Sequence, residues 1–373
     1  MFNSYPFRVV LIPAGVFVSV MFGGGASTGL EITTYMSSNG PVGGLIAIGI
    51  IALMYSAMVF LCYEVGRLCR AYDYQAFARV VLGSRAWVIY EIAITLSMFG
   101  VIAYSTTGGG TALADFLGVP RHAITAVILI VVVWLTYQGR RLVEMTMLGT
   151  TLLLLGCALI LVVGAIQSDG AEISRQLRFA ETDVPAMLKR IWVYTVVIAA
   201  YIPIILYAAT ELRSRSEVLV ASFASGIAIM LPPLGMHLAY LTRFPEVLEK
   251  EIPNAWIAGE VMPVWFTGLF IVVLNIVILQ TAVGLLQGII ERIESWRLTA
   301  GERSLTKTQH AIISATIMVA ALALSGYGVQ KLLGWMYNIS YWLFLIIMFF
   351  PVVFVGAYKI VTLREPVAIE GSD

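Results

Sequence analysis

Apolar residues run along this chain in long blocks, broken at intervals by short clusters of charge, glycine and proline. The blocks predict ten helices, at roughly 8–37, 42–69, 86–115, 121–138, 142–167, 186–212, 216–241, 262–291, 307–327 and 333–360. Each is long enough to cross a hydrocarbon layer, which takes about 20 residues. Most connections are short; those at 70–85, 168–185, 242–261 and 292–306 are longer. The pattern predicts an all-α polytopic membrane protein, with residues 1–373 forming a single transmembrane domain.

Composition sharpens this picture. The chain is 60% hydrophobic and only 12% charged, with mean hydropathy +0.90; a soluble domain carries about 25% charged residues. Net charge is +1 and no basic cluster stands out, so nucleic acid is not an expected partner. The first apolar run begins near Val9 and lacks a small-residue cleavage site, so it reads as a span rather than a removable signal. Cys62 and Cys69 sit seven apart on one predicted helix, about 10 Å by helical rise, too far to bridge. With Cys157 also in an apolar run, neither a disulfide nor a metal site is expected.

Charge orients the bundle. With the N-terminus in the cytoplasm, 15 of the 23 Lys and Arg residues fall in inside segments, among them Arg67, Arg70, Arg140, Arg141, Arg213 and Arg215. Most loop acids, including Asp115, Asp169, Glu249 and Glu251, fall outside. The positive-inside rule therefore places both termini in the cytoplasm. "SDGAEISRQLRFAETDVPAMLKR" (168–190) divides the chain into five helices over 8–167 and five over 186–360. An odd number of spans per half forces opposite orientations, the plan of an inverted repeat.

The first helix of each half carries a helix breaker at similar depth. "VSVMFGGGASTGLEITTY" (18–35) holds Gly23, Gly24 and Gly25 and then a lone carboxylate, Glu31. The sixth helix holds Pro203, beside Ala200 and Tyr201. Unpaired backbone groups at such depth are tolerable where they line a cavity or meet a ligand. Close packing of glycines and an ordinary proline kink are the plainer alternatives.

"FGGGASTGLEI" (22–32) resembles the Gly-x-Gly-x-Ala-Ser-Gly-x-Glu-Ile motif of the YkvI-type bacterial membrane proteins, here with Thr28 between Ser27 and Gly29. "YEVGRLCRAYDYQAFARVVLG" (63–83) is similar to the same family's pattern after its second helix. That family is related to the amino acid–polyamine–organocation superfamily. The resemblance implies a LeuT-like 5+5 inverted repeat in a bacterial inner membrane, with the first and sixth helices broken at mid-membrane and a central substrate site. It implies that a sodium ion, where one is used, lies between the first and eighth helices. By position its ligands would be the carbonyls of Ser19, Phe22 and Val277 and the side chains of Gln280 and Thr281.

Glu64 precedes Arg67 by three, Glu144 follows Arg140 by four, Glu211 precedes Arg215 by four, and Glu91 lies one turn inside the boundary. These read as structural ion pairs or gate contacts. Glu31 has no basic residue within a helical turn or two. It binds a substrate ammonium, carries a coupling proton, or caps unpaired backbone N–H groups. The third helix bears a stripe of Ser97, Gly100, Tyr104, Thr107, Gly108 and Thr111, with Tyr104 central. The eighth has Asn275 near Thr281, Gly284 and Gly288; the sixth offers Tyr194, Tyr201 and Tyr207; the tenth offers Tyr337, Asn338 and Tyr341. Candidate substrate contacts are Gly23–Gly25, Ala26, Ser27, Thr28, Glu31, Tyr104, Ala200, Tyr201 and Tyr207. His122 and His310 lie near boundaries, while His237 reads as a core histidine or a pH-sensitive gate.

The reading is a secondary transporter, driven by Na⁺ or H⁺, of a small amine, amino acid or similar solute. A receptor that binds the solute without moving it is the alternative. No catalytic cluster is apparent, so an enzyme ranks last.

Overall fold

A computed structural model describes residues 4–21, 23, 26–138, 140–178, 182–299 and 301–363, with side chains at 138–148 and 299 excepted. All the described regular structure is helical. A π-helical turn, Pro6–Leu11, runs into α1, Ile12–Met21. After a break containing the 3₁₀ turn Ala26–Thr28, α2 covers Leu30–Tyr35. Then follow α3 (Pro41–Cys69), α4 (Tyr74–Leu117), α5 (Arg121–Gln138) and α6 (Arg140–Gln176). The second half opens with α7 (Val184–Ala199), which passes into a 3₁₀ segment, Ile202–Ala209. It continues with α8 (Arg215–Tyr240), α9 (Pro253–Val261), α10 (Val264–Thr299), α11 (Lys307–Ser325) and α12 (Val329–Phe344), the last prolonged through π turns to α13 (Ala357–Thr362).

Each of the ten predicted segments is helical. Among the described residues, seven helices are long and apolar enough to cross a membrane, and the bent pair of α7 and Ile202–Ala209 makes an eighth. Pro6–Met21 and Arg121–Tyr137, at the first and fourth predicted positions, are apolar but shorter. Leu53, Ile130, Val319 and Phe354 stand exposed on helix exteriors, as they would where the surrounding solvent is lipid.

Both predicted breaks are present. The first chain segment leaves α-helix at Met21 and resumes at Leu30. Gly29, at φ 85°, caps α2 in the left-handed region that a side chain would strain. The second bends by 58° between Ala199 and Ile202. Pro203 falls in the first turn of the 3₁₀ segment, where its missing N–H removes no helical bond.

Several connections differ from expectation. Residues 70–85 are largely helical: Asp73 caps α4 by accepting from the Ala76 N–H at 2.8 Å, and only Gly83, at φ 85°, interrupts it. The 242–261 connection contains α9, α6 extends past a non-helical Asp169, and α10 continues to Thr299. An apolar-length criterion ends a span where polarity rises; local caps let the backbone helix run on.

Packing sorts the helices. The most extensive contact is between α3 and α8, on which α1 also packs, and α7 joins α3. A second group forms around α4, with α5, α10 and α11 against it or each other. The two breaks and α12 lie where these groups meet.

Candidate functional site

Glu31 lies in the first turn of α2 and is only 3% exposed. Tyr104, from the middle of α4, donates its hydroxyl to Glu31 Oε1. Tyr194 of α7 and Tyr337 of α12 turn their hydroxyls toward the same carboxylate. Tyr35, one turn beyond Glu31, lies 5.4 Å from the Tyr194 ring and 4.7 Å from the Tyr337 ring, centroid to centroid. Tyr194 and Tyr337 face each other at 6.1 Å with ring planes 4° apart. Tyr55 of α3 closes the group at 6.1 Å from Tyr194. Five buried tyrosines from five helices thus surround one carboxylate. Among the described residues, no Lys, Arg or His acts on it.

A carboxylate in an apolar interior without a cationic partner is costly. Phenol donors offset part of that cost by hydrogen bonding to the charged form. They leave the net charge untouched. A proton, a metal ion or an ammonium would each supply the missing positive charge. The Tyr55 and Tyr337 hydroxyls are buried in the same cluster without a close hydrogen bond among the described residues, Tyr55 facing Tyr194 and Tyr337 facing Glu31.

A second polar group lies near this one. The Tyr201 hydroxyl bonds to Ser97 Oγ, which in turn lies 3.2 Å from Ser340 Oγ. Tyr201 also meets Phe344 edge-on at 6.0 Å. Ser97, two turns before Tyr104, thus ties α4 to the bend after α7 and to α12. The bend frees the Ala200 carbonyl, and Tyr90 donates to it at 2.8 Å. At the other break, Asn254 of α9 donates to the Ser27 carbonyl at 2.8 Å and accepts from Tyr240. Two backbone acceptors in the broken regions are thus met by side chains of the chain itself.

The structure brings together some of the predicted substrate contacts and not others. Ala26, Ser27, Thr28 and Glu31 are buried at the first break, Tyr104 bonds to Glu31, and Ala200 and Tyr201 lie at the second. Thr28 packs beside Gly108: a Cβ built on that glycine would sit 3.0 Å from Thr28 Cγ2. Tyr207 is 54% exposed and stands apart from this cluster. Gly24 and Gly25 lie outside the described residues. Tyr35 and Tyr55 are not among the contacts expected from sequence, and Tyr194 and Tyr337 are expected on the sixth and tenth helices without a place in the site. Tyr35 had a signal, being one turn after Glu31; nothing local marks Tyr55.

The residues of the sodium set suggested by resemblance lie in different surroundings. Thr281 of α10 faces the break, with Oγ1 3.0 Å from the position of a Cβ on Gly23. Its hydroxyl donates to the Val277 carbonyl at 2.9 Å. Gln280 accepts instead from Thr150 of α6, since successive helical positions point about 100° apart. Ser19 is half-buried, and Phe22 lies outside the described residues. Among the described residues, no three His, Cys, Asp or Glu side chains gather as metal ligands, and the three cysteines are free and buried.

The remaining acids sort as follows. Glu64 pairs with Arg67 at 2.7 Å. Glu91 pairs with Arg292 at 2.9 Å, under 4.8 Å stacking of Arg292 on Tyr74. The expected Glu211–Arg215 pair is replaced: Arg8 reaches across to Glu217 and to the Glu211 carbonyl. Arg8 reaches a partner 209 positions away because Pro6–Leu11 and α1 pack against α8. The Glu144–Arg140 side chains lie outside the described residues. His237 is fully buried, with Nδ1 2.8 Å from Ser37 Oγ and Nε2 2.9 Å from the Pro41 carbonyl. Nε2 therefore carries a hydrogen and donates to the carbonyl, while the Ser37 hydroxyl pairs with Nδ1 in either role.

No family model matches the chain, and no curated protein does. Solved structures do. A manganese transporter from Eremococcus coleocola, in complex with an aromatic bis-isothiourea substituted compound, is similar with a TM-score of 0.58 at 12% identity, over 95% of this chain and 80% of that one. MhsT in complex with L-phenylalanine is similar with a TM-score of 0.59 at 15% identity, over 94% and 88% of the two chains. At such identities the likeness is one of backbone path, and this multi-pass membrane protein has the fold of the LeuT-fold transporters.

Proposed function

We propose that the chain is a secondary active transporter whose solute carries a positive group, an amine or the ammonium of a zwitterion, to Glu31. The observation that carries this reading is the buried carboxylate among five tyrosines, with no basic neighbour among the described residues. Tyrosine rings attract an ammonium through their faces, and a desolvated carboxylate adds a direct charge partner. The fold supports transport over catalysis, and no cluster of catalytic type accompanies Glu31 among the described residues. Manganese and phenylalanine are the ligands or cargo named for the two neighbours; the phenol-rich surroundings of Glu31 favour an organic cation over a hard metal ion, which prefers several carboxylate or carbonyl oxygens.

An ion gradient, Na⁺ or H⁺, supplies the work. Residues 8–167 and 186–360 form the two inverted halves, and the charge pattern places both termini in the cytoplasm of a bacterial inner membrane. The motif around Glu31 supports YkvI-type membership. The test is uptake by the purified protein in liposomes, with imposed Na⁺ or pH gradients and a panel of radiolabelled amines and amino acids. Gradient-driven accumulation supports the reading. Binding without accumulation under any gradient would replace it with a receptor.

A further inference from the structure

Above the tyrosine cluster lies an open cleft of about 380 Å³, lined by residues of α2, α7, α12 and the segment after α8. Its polar lining is Thr33, Thr34, Ser38, Gln330 and Arg190, the last being the only charged residue. Arg190 belongs to α7, one turn before Tyr194 and on the same face, about 6 Å along the axis. Leu333 and Gly334 in the lining precede Tyr337 of the cluster by about one turn of α12. The cleft and the Glu31 site are therefore neighbouring levels of the same three helices. On the orientation proposed above, the cleft opens outward.

Arg190 is held in place, yet its charge is not matched. Its guanidinium donates to Asn39 Oδ1 at 2.9 Å. Asn39 is only 4% exposed, and its amide nitrogen donates to the Tyr35 and Met36 carbonyls at 2.9 and 2.8 Å. That orientation leaves Oδ1 as an acceptor fixed toward Arg190. No acidic side chain among the described residues pairs with Arg190. Two other arginines line clefts, and each has a different partner: Arg79 stacks over Trp87 at 4.8 Å. Arg121 is bonded to Asp115 at 2.9 Å and to Glu251 at 2.6 Å. A guanidinium has five N–H donors in a rigid fork suited to a carboxylate, and Asn39 occupies one edge.

We infer that Arg190 is an anion-recognition residue that admits solutes bearing a carboxylate, so that the transported class is a zwitterion rather than a simple amine. This rests on the function proposed above. A cation approaching the cleft alone meets an unmatched positive charge; a zwitterion has its carboxylate engaged there while its ammonium is presented to the site one level deeper. Arg190 repels the first and orients the second, a specificity set by a repulsive element as much as an attractive one.

The experiment compares amino acids with their decarboxylated amines: phenylalanine with phenethylamine, leucine with isoamylamine and lysine with cadaverine. Ligand-dependent thermal stabilisation of purified wild type, Arg190→Gln and Arg190→Lys is measured across a concentration series. The expected result is that wild type prefers at least one amino acid over its amine, that Arg190→Gln weakens that amino acid's binding about ten- to a hundredfold, and that its amine binds as well or better. Arg190→Lys retains part of the preference. Undiminished preference in Arg190→Gln overturns the inference and leaves the proposed function standing, as does a wild type that favours the amines. No stabilisation of wild type by any of these ligands counts against the amine-recognition reading itself, and the inference fails with it.

Discussion

Tyr104 donates its hydroxyl to Glu31, a bond that joins α4 to α2 across 73 residues of sequence. It ties the interrupted first segment to the opposing helix group, beside the packing of Thr28 on Gly108. A change in the charge of Glu31, or a cation placed beside it, alters that link. On the proposed function, this bond couples ligand binding to the relation between the two groups of helices.

Glu31→Gln keeps the shape of the side chain and removes its charge. Loss of one charge-assisted contact with a cationic ligand costs about 1.5–3 kcal/mol, or about ten- to a hundredfold in affinity. Ligand binding and uptake should fall while thermal unfolding changes little. Tyr104→Phe should do the reverse in part: the carboxylate loses a donor, and stability drops by about 1–3 kcal/mol. Wild-type uptake in a folded Glu31→Gln protein would reduce the carboxylate to a structural role.

The Glu91–Arg292 pair is buried, with side-chain exposures of 1% and 9%. Removing one partner leaves the other charge uncompensated. Glu91→Gln should therefore destabilise the protein by about 3–5 kcal/mol. The double change Glu91→Gln/Arg292→Met should cost less than the two single changes added together, which equilibrium unfolding in denaturant would detect. Additive costs would mean that the two charges do not interact.

Gly29 has φ 85° beneath Tyr240 and Asn254. Gly29→Ala adds a Cβ in the left-handed region, at about 1–2 kcal/mol, and pushes on the Asn254 side chain that holds the Ser27 carbonyl. A lower melting temperature and weaker ligand binding should appear together. Gly284 has open space around its Cβ position, so Gly284→Ala serves as the control and should be nearly neutral.

Thr281 is the side chain of the suggested sodium set that faces the first break. If Na⁺ drives transport through this contact, Thr281→Ala should reduce the melting-temperature gain on replacing choline with Na⁺. Equal stability of wild type in the two salts, with uptake following an imposed pH gradient, would assign the coupling to protons.

Much of the fold could be read along the chain because membrane helices announce themselves locally. A span must satisfy its own backbone hydrogen bonds and present apolar side chains to lipid, so length and hydropathy locate it. The breaks near Gly23–Gly25 and Pro203 were legible for the same reason, since glycine and proline act on their own turn. Glu31 stood out because no compensating charge lies near it in sequence. The tyrosine cluster was not legible. Tyr55, Tyr194 and Tyr337 sit on three helices whose facing sides depend on crossing angles and rotation, which no periodicity reports. Tyrosine is also common at membrane boundaries, so its type alone does not separate an anchor from a ligand contact; Tyr207, exposed in the structure, and Tyr194, buried beside Glu31, belong to the same predicted helix. The ion pairs divide likewise. Glu64 and Arg67 are three apart, and helix geometry alone brings them together. Arg8 with Glu217, and Arg190 held by Asn39, required the helices to pack. Local chemistry determined where the chain crosses and where it breaks; tertiary packing decided which side chains surround the lone carboxylate, because contacts between distant helices are set by the joint fit of all their surfaces.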